Sequence, residues 1–203
     1  MSPSVSPDHY FSPAPGVGSR RAEVRLSLPD FETTLVVDRG VFSAGGVDAG
    51  TLELLRAAPA PPQSGNLLDL GSGYGPIACT LAHRSPAATV WAVDVNERAI
   101  DLAAENARRL GLSGIRAVTP DRVPEDLRFE GIWSNPPIRI GKAALQDLLS
   151  GWLRRLAPGG SAWLVVHRHL GSDSLAAWLG SVGYEVERVS SKKGYRILRV
   201  VSQ

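Results

Sequence analysis

The chain has 203 residues with 43% hydrophobic and 21% charged side chains, which predicts one soluble globular domain with a sizeable core and no second independent domain. No apolar run is long enough to cross a bilayer, and the lone Cys79 excludes an internal disulfide and a cluster of thiolate metal ligands. The net charge of +2 hides an asymmetry, because residues 1–130 carry 12 basic and 16 acidic side chains whereas residues 131–203 carry 10 and 4.

The first part of the chain predicts a tail followed by a small β-unit. Residues 1–19 are rich in Ser, Pro and Gly, and we expect a flexible tail there. This start has neither the basic residues nor the apolar core of a signal peptide, which together with the single cysteine predicts a cytoplasmic, reducing location. Two alternating segments at 22–28 and 31–38 predict a β-hairpin within residues 20–46, and residues 51–57 predict a short helix that a proline-rich run ends.

Between residues 64 and 203 strands alternate with helices, which predicts an α/β core with an open, mostly parallel sheet covered on both faces. The predicted strands are 66–70, 89–93, 115–119, 131–134 and 162–166, with a closing hairpin at 184–189 and 194–201. One predicted helix follows the glycine-rich loop, and the others span 97–110, 142–156 and 174–182. We expect residues 20–203 to form a single domain. Ligands of such a sheet bind beyond the carboxyl ends of the strands, where the polar motifs lie.

The first strand of this core leads into a glycine-rich loop in the segment LLDLGSGYG, residues 67–75. Gly71, Gly73 and Gly75 have G-x-G-x-G spacing, whereas the dinucleotide fingerprint needs one more residue before the third glycine. Glycines let the backbone turn sharply and approach a ligand closely, although a tight strand-to-helix turn explains them equally well. Asp69, just before them, would repel a pyrophosphate but would suit the α-ammonium group of a ligand that carries an amino acid.

Two further acids follow strand ends. Asp94 ends the second strand about twenty residues after the loop, where a carboxylate accepts hydrogen bonds from both ribose hydroxyls. Its alternative role is to cap the helix that begins near Glu97, unless Asn96 caps that helix. Asp121 follows the third strand, within reach of an adenine amine, or forms a turn between two prolines. Together with Asp69, these acids indicate a ligand with an amino-acid end, a ribose and an adenine, which is S-adenosylmethionine (SAM).

The segment SNPPIR, residues 134–139, follows the fourth strand. An exocyclic amine of a nucleobase is a weak nucleophile, because its lone pair is delocalised into the ring. The side-chain oxygen of Asn135 and the carbonyl of Pro136, which Pro137 holds in an extended geometry, form a rigid acceptor pair that would grip both N–H groups and aim the lone pair at a methyl group. In-line positioning of this kind supplies roughly 7–11 kcal/mol. An ordinary strand-terminating Asn-Pro turn is the alternative.

The motifs LLDLGSGYG, VDVNERAI, SNPPIR and LAPGG, in this order, resemble class I SAM-dependent methyltransferases that act on exocyclic amino groups. More narrowly, the chain from Gly40 is similar to the "methyltransferase small" group, which includes the small-subunit (16S) ribosomal RNA guanine-N2 methyltransferases of the RsmC kind. GVFSAGGVDAGT, NPPIR-x-GK, HRHLGSDSLAAWL and KKGYRILRV carry this closer resemblance. It implies a seven-stranded Rossmann-like fold, mostly parallel with an antiparallel C-terminal strand, SAM as cofactor, no metal, no membrane, and ribosomal RNA or the small ribosomal subunit as partner.

The resemblance also implies roles for individual residues. Asn135 and Pro136 would be catalytic and would hold the target amine. The other implied contacts are to the substrate by Pro137, Ile138, Arg139 and Lys142, and to the cofactor by Phe42, Asp69, Gly71, Ser72, Gly73, Asp94, Val95, Asp121 and Asn135. Two departures from the family stand out. Ile138 stands where many amino-methyltransferases have a Tyr or Phe that stacks on the base, and only a short hairpin stands where some members have an extra N-terminal module.

Other features have two readings. Arg139, Lys142 and the basic segment 192–196 either contact RNA phosphates or are solvated surface. His167 and His169 have the spacing of metal ligands on a strand, but no third ligand is evident and a structural role is favoured. Cys79 follows the glycine loop and is expected to be a small core residue.

The leading hypothesis is methylation of guanine N2 in small-subunit ribosomal RNA. A protein glutamine N5-methyltransferase is the first alternative, because NPP also grips a side-chain amide, although those enzymes commonly present an aromatic residue where Ile138 stands. A small-molecule N-methyltransferase is the second alternative. A non-enzymatic RNA-binding module has no need of Asp69 and Asn135, and the glycine spacing argues against a nicotinamide dehydrogenase.

Overall fold

A computed structural model describes residues 18–43 and 45–202, so most of the tail predicted for residues 1–19 lies outside the described residues. Within the described ranges the chain is an α/β protein, as the sequence predicts. The strands are β1 (Ala22–Ser27), β2 (Glu32–Val37), β3 (Ser64–Leu70), β4 (Ala87–Val93), β5 (Ile115–Val118), β6 (Phe129–Ser134), β7 (Leu156–His167), β8 (Tyr184–Lys192) and β9 (Tyr195–Ser202). The helices are α1 (Ala49–Ala57), α2 (Pro76–Arg84), α3 (Glu97–Arg109), α4 (Lys142–Leu153) and α5 (Ser172–Ser181).

Strands β3 to β9 form a seven-stranded sheet in the order β5-β4-β3-β6-β7-β9-β8. The strands from β5 across to β7 are parallel, whereas β9 runs antiparallel to both β7 and β8. The predicted seven-stranded, mostly parallel sheet with an antiparallel C-terminal strand is therefore confirmed. The chain places β4 and β5 on one side of β3 and then returns to the other side with β6. Ligands of open α/β sheets bind at such a reversal.

Alternate residues of the central strands pack into two different cores, as the period of a strand requires. Leu67 belongs to a cluster that includes residues of the hairpin, α1, α2 and α3, whereas Leu68 belongs to a cluster that includes residues of α4 and α5. The sheet is thus covered on both faces, and its central strands are buried on both sides. In the described part of the chain, none of the helices combines the length and the apolar character needed to cross a membrane.

The N-terminal hairpin β1–β2 is fastened to α3 by one buried side chain. Asn106 accepts a hydrogen bond from Val36 N at 2.7 Å and donates to the carbonyl oxygens of Val36 and Tyr74, both at 2.9 Å. Leu26 and Leu35 of the hairpin are fully buried in the same core as α3. The hairpin therefore holds α3 against the loop that contains Tyr74.

We expect Asn106→Ala to lower the free energy of unfolding by about 2–4 kcal/mol, because it leaves the buried main-chain groups of Val36 without their side-chain partner. Urea denaturation followed by circular dichroism measures this change. Asp101→Ala, at an exposed position of the same helix, is the matched control and should change stability by less than about 0.5 kcal/mol. Equal stability of the two variants would contradict the tethering role of Asn106.

The largest difference from the prediction lies between α4 and β7, whereas most other elements differ only in their end residues. The predicted helix 142–156 ends at Leu153, and β7 already begins at Leu156, which pairs with Phe129 of β6. The pairing then shifts, so that Gly131 faces Ser161. A side chain at Gly160 would come within 2.9 Å of the Phe129 carbonyl oxygen, so glycine allows the two strands to approach there. The Pro-Gly-Gly run, residues 158–160, therefore lies in the irregular first part of β7, after the helix has ended.

Candidate active site

A cavity of about 470 Å³ opens beyond the carboxyl ends of β3, β4 and β6, at the point where the strand order reverses. Leu70 lies opposite Ser134 in the sheet, and Ser134 Oγ donates to Leu70 O at 2.7 Å. The loops that follow these two strands are therefore neighbours. One wall of the cavity comes from the glycine loop and residues 93–96, and the other comes from residues 135–139 together with parts of α4, β7 and β9. The volume suits a small-molecule ligand.

The glycine loop needs its glycines for its backbone conformation. Gly71, Gly73 and Gly75 all have positive φ angles, of 74°, 54° and 89°. Gly71 N and Ser72 N donate to Val93 O at 2.8 and 3.0 Å, which ties the loop to β4. A Cβ atom added at Gly71 would meet nothing within 4 Å, so the loop presents open backbone at the cavity.

Asp69 lies behind this loop and does not line the cavity. Its side chain is fully buried, and Oδ2 accepts a hydrogen bond from Ala78 N of α2 at 2.9 Å. Its other oxygen and the hydroxyl of the neighbouring Ser72 have no hydrogen-bond partner among the described residues. Burial, with a smaller contribution from Asp94, raises the pKa of Asp69 to about 8. Direct contact of Asp69 with a ligand ammonium stays a prediction, and the visible role of this acid is to join β3 to α2.

The buried acid predicts a stability that depends on pH. Because the pKa of Asp69 is about 8 in the folded protein and about 3.9 when unfolded, the folded state retains a proton that the unfolded state releases between these values. The free energy of unfolding should therefore fall as pH rises from about 4 to about 8, by up to roughly 1.4 kcal/mol per pH unit. Asp69→Asn should reduce this decline, leaving the part that the raised pKa of Asp94 contributes, whereas the exposed Asp101→Asn should retain all of it. Urea titrations at several pH values measure the slope, and an unchanged slope in Asp69→Asn would refute the assignment.

Asp94 joins the glycine loop to residues 93–96, and these two segments form the wall that we call the cofactor-side wall. Its half-buried carboxylate accepts from Gly73 N and from Asn96 N, each at 2.9 Å, and burial raises its pKa. Asn96 caps α3, accepting from Arg98 N at 3.0 Å, which answers the question that the sequence left open. Asp94 is thus free of the capping role and lines the cavity beside the exposed Val95. Each carboxylate oxygen has a further lone pair for a ligand hydroxyl.

Asp121 is not brought to the cavity. It lies in a short 3-10 turn (Pro120–Arg122), its side chain is 76% exposed, and it pairs with the equally exposed Arg122. A hydrogen bond from Thr119 lowers the pKa of Asp121. Pro120, its neighbour, lines the cavity in its place. The predicted contact of Asp121 with adenine stays a prediction.

Asn135 is positioned by a residue to which the sequence analysis gave no role. Its Nδ2 donates to Asp48 Oδ2 at 2.8 Å and to Thr51 Oγ1 at 3.1 Å. Asp48 is the N-cap of α1 and lines the same cavity as Asn135. With both amide protons bonded to α1, the Asn135 oxygen is left as an acceptor for a ligand.

The two prolines after Asn135 form a tight turn. Pro136 O accepts from Ile138 N at 2.8 Å, and Pro137 has φ −74° and ψ 72°, the values of an inverse γ-turn. One lone pair of the Pro136 carbonyl is therefore already bonded, and a second remains for a target amine. The chain continues into a 3-10 turn (Ile138–Ile140) and reaches α4 through Gly141, whose φ is 95°.

The other wall of the cavity, formed by residues 135–139 with parts of α4, β7 and β9, is called the substrate-side wall. It contains most of the residues predicted to contact the substrate. Pro136, Pro137, Ile138 and Arg139 line the cavity, whereas Lys142 is exposed at the start of α4 and does not. Three aromatic rings also belong to this wall, those of Trp152, His167 and Tyr195. The sequence analysis assigned no role to Trp152, favoured a structural role for His167, and placed Tyr195 in the basic segment 192–196. Phe42 is 46% exposed and lines the cavity from the loop that precedes α1.

The two remaining sequence features have structural explanations. The His167 ring packs edge-to-face against Tyr195 at 5.0 Å and lies 5.4 Å from the His169 ring. Among the described residues no group of three or more His, Cys, Asp or Glu side chains has the arrangement of a metal site. Cys79 is fully buried, which confirms it as a core residue, and burial raises its pKa to about 12.

The sequence matches the family model described as methyltransferase small domain over residues 32–199. The chain is similar to the uncharacterized protein YbxB of Bacillus subtilis (strain 168), with 34% identity over 195 residues that cover 95% of this chain and 97% of that protein. It is also similar to the ribosomal RNA small subunit methyltransferase C of Shewanella piezotolerans, with 32% identity over 171 residues that cover 82% of this chain and 49% of that protein. The chain thus spans nearly all of the first relative and about half the length of the second.

Among solved structures, the chain is similar to the T. thermophilus 16S rRNA N2 methyltransferase (RsmC) in complex with AdoMet and guanosine. The TM-score is 0.75 with 26% identity, over 93% of this chain and 52% of that one. A TehB-like SAM-dependent methyltransferase from Corynebacterium glutamicum shares the fold, with a TM-score of 0.60 and 19% identity over 79% of this chain and 91% of that one.

Proposed function

The chain belongs to the methyltransferase small domain family, and on that premise we propose that it transfers a methyl group from SAM to guanine N2 of small-subunit ribosomal RNA. The observation that carries the proposal is the orientation of Asn135. Its amide nitrogen is held by Asp48 and Thr51, so its oxygen is the atom that remains to accept a hydrogen bond from a ligand amine. An exocyclic amine has two N–H groups, and the Pro136 carbonyl provides the second acceptor.

The cofactor-side wall fits SAM in shape and in charge. A Cβ atom added at Gly71 would have no other atom within 4 Å, so a ligand can approach the backbone closely there. The charged residue of this wall is Asp94, and no Lys or Arg of the described chain lines it. A carboxylate favours a ligand with ammonium and sulfonium groups over one with a pyrophosphate. Asp94 would accept hydrogen bonds from ribose hydroxyls, and the Ser72 hydroxyl within the loop has no partner among the described residues.

When bound, SAM supplies an electrophilic methyl carbon, to which the target nitrogen bonds while the electron pair of the broken carbon–sulfur bond goes to sulfur and a nitrogen-bound proton passes to water. The protein contributes position and electrostatics. Asn135 Oδ1 and Pro136 O hold the amine hydrogens, which directs the nitrogen lone pair away from the ring system. Such fixed geometry supplies roughly 7–11 kcal/mol of the barrier reduction without a strong base.

RNA as the substrate is supported by the relatives and by the charge of the second half of the chain. The similar proteins of Shewanella and T. thermophilus are named as enzymes of small-subunit ribosomal RNA. Arg139 lines the cavity, and within the described ranges neither it nor Lys142 nor Lys192 forms an ion pair, so these cations are available for phosphates. Trp152, His167 and Tyr195 provide the aromatic surfaces that Ile138 lacks.

The proposal is tested by incubating the protein with labelled SAM and small ribosomal subunits, or their 16S RNA, from cells that lack the gene. Mass analysis of the nucleosides should show N2-methylguanosine, and Asn135→Ala protein is the negative control. Label in a ribosomal protein, or in another nucleoside, would refute the guanine-N2 assignment. A free small molecule as the only acceptor would refute the RNA assignment.

A further inference from the structure

We infer that Asp48 is a positioning residue for the transfer reaction: through Asn135 it fixes which atom of the carboxamide faces the target amine. The inference rests on the proposed function for its activity readout. It adds a residue that does not itself touch the reacting atoms, 87 positions away from Asn135 in the sequence.

The contact determines the orientation of the amide. Asp48 Oδ2 is an acceptor only, and it lies 2.8 Å from Asn135 Nδ2. A flipped carboxamide would bring the Asn135 oxygen against that carboxylate, two acceptors with no proton between them. The Thr51 hydroxyl at 3.1 Å can accept or donate, so it tolerates both orientations and the carboxylate alone selects between them. The carboxylate therefore excludes the orientation in which Asn135 would present a donor to the amine.

Asp48 is itself held by the helix that it caps. The same Oδ2 atom accepts from Thr51 N at 3.0 Å in the first turn of α1. The helix is docked against β9 so closely that a Cβ atom at Gly50 would lie 2.7 Å from the Tyr195 ring. Farther along α1, the buried Glu53 pairs with Lys193 at the β8–β9 turn at 3.2 Å. These contacts give Asn135 a fixed partner although no sequence neighbour supplies one.

The charge of Asp48 acts in the same direction as its geometry. A carboxylate bonded to the amide N–H increases the negative partial charge on the amide oxygen. The target nitrogen becomes more positive as it bonds to the methyl carbon. An oxygen made more negative holds that nitrogen more strongly in the transition state than in the ground state, which is the condition for raising kcat.

Three variants separate the contact from the helix cap and from the charge. Asp48→Ser retains a capping oxygen but is too short to reach Asn135, so we expect kcat to fall roughly 30-fold while the Kd for SAM changes less than about threefold. Asp48→Asn places an amide oxygen where Oδ2 accepts both bonds, so it should restore most of the activity, with kcat within about tenfold of wild type. Asp101→Ser, at an exposed position of α3 away from the cavity, should behave as wild type.

A second readout does not depend on turnover. In the protein without added RNA, the Nδ2 protons of Asn135 should be protected from solvent exchange in ¹H–¹⁵N spectra, and Asp48→Ser should raise their exchange rate at least about tenfold. Asp48→Asn should retain the protection. If wild type methylates RNA and Asp48→Ser does so at an unchanged kcat, the inference is wrong. A loss of SAM affinity as large as the loss of kcat would equally overturn it, because Asp48 would then act on the cofactor.

The failure of the proposed function has a different signature. If wild type transfers no methyl group to RNA, the substrate assignment fails, and the exchange measurement alone decides whether Asp48 fixes the amide. Unchanged exchange of the Asn135 protons in Asp48→Ser would then overturn the positioning role as well.

Discussion

We expect Asn135→Ala to lower kcat for methyl transfer to ribosomal RNA by between roughly 10²- and 10³-fold, the usual effect of removing one preorganised hydrogen-bonding group from a transition state. The alanine has no oxygen to hold the target amine, so the nitrogen lone pair is no longer directed at the methyl carbon. The Kd for SAM should change less than about fivefold, because the glycine loop and Asp94 are intact. Single-turnover kinetics on small ribosomal subunits and calorimetry with SAM measure the two quantities.

Gln63→Ala is the matched control, since Gln63 also carries a carboxamide but precedes β3, at the end of the strand opposite the cavity. It should leave both kcat and the Kd for SAM unchanged. The proposed role of Asn135 is wrong if its alanine variant is folded, as judged by its thermal midpoint, and turns over at the wild-type rate.

The second large effect concerns cofactor affinity. We expect Asp94→Ala to weaken SAM binding about 50-fold, within the roughly 1.5–3 kcal/mol of hydrogen bonds to a charged group. Asp94 has two tasks in the structure: its carboxylate lines the cavity, and it holds Gly73 N at 2.9 Å, so its loss removes a ribose acceptor and loosens the loop. Isothermal titration with SAM measures the change.

Asp121→Ala is the informative comparison for Asp94→Ala. The Asp121 side chain is 76% exposed and lies off the cavity wall, so we expect less than about a threefold change in the Kd for SAM. Equal losses in the two variants would mean that Asp121 contacts the adenine in the complex, as the sequence predicts. An unchanged affinity in Asp94→Ala would contradict the assignment of the ribose site.

The parts of the fold that depend on local patterns were predictable. Strand β3 with its glycine loop, strand β6 with the NPP turn and helix α3 with its asparagine cap are short-range features with strong signals. The two loops lie close together because β3 and β6, although separated in the chain by β4 and β5, are neighbours in the sheet at the reversal of strand order. The two loops of the cavity could therefore be placed together from the sequence.

The orientation of individual acids was less predictable. Asp69 and Asp94 both follow hydrophobic runs, yet the structure turns Asp69 back to Ala78 N and Asp94 toward the cavity. Asp48 carries no local signal beyond that of a helix cap, since its contact with Asn135 spans 87 residues. Trp152 has no signal beyond that of an apolar residue of α4, whereas Tyr195 of β9 belongs to the basic segment 192–196, which the sequence assigns either to RNA contact or to solvated surface. Only the packing of those elements beside the NPP turn brings their rings to the cavity.

The reversal of strand order at β3 separates the two walls of the cavity into different parts of the chain. Strands β4 and β5 and helix α3 lie to one side and contribute the wall with the glycine loop and Asp94, whereas β6, β7, β9 and α4 lie to the other and contribute the wall with the NPP turn. We therefore expect insertions after β6 or at the β8–β9 turn to change the acceptor while the wall with the glycine loop stays unaltered. The ion pair between Lys193 and Glu53 restricts such changes, because an altered β8–β9 turn must still contact α1, the helix that Asp48 caps.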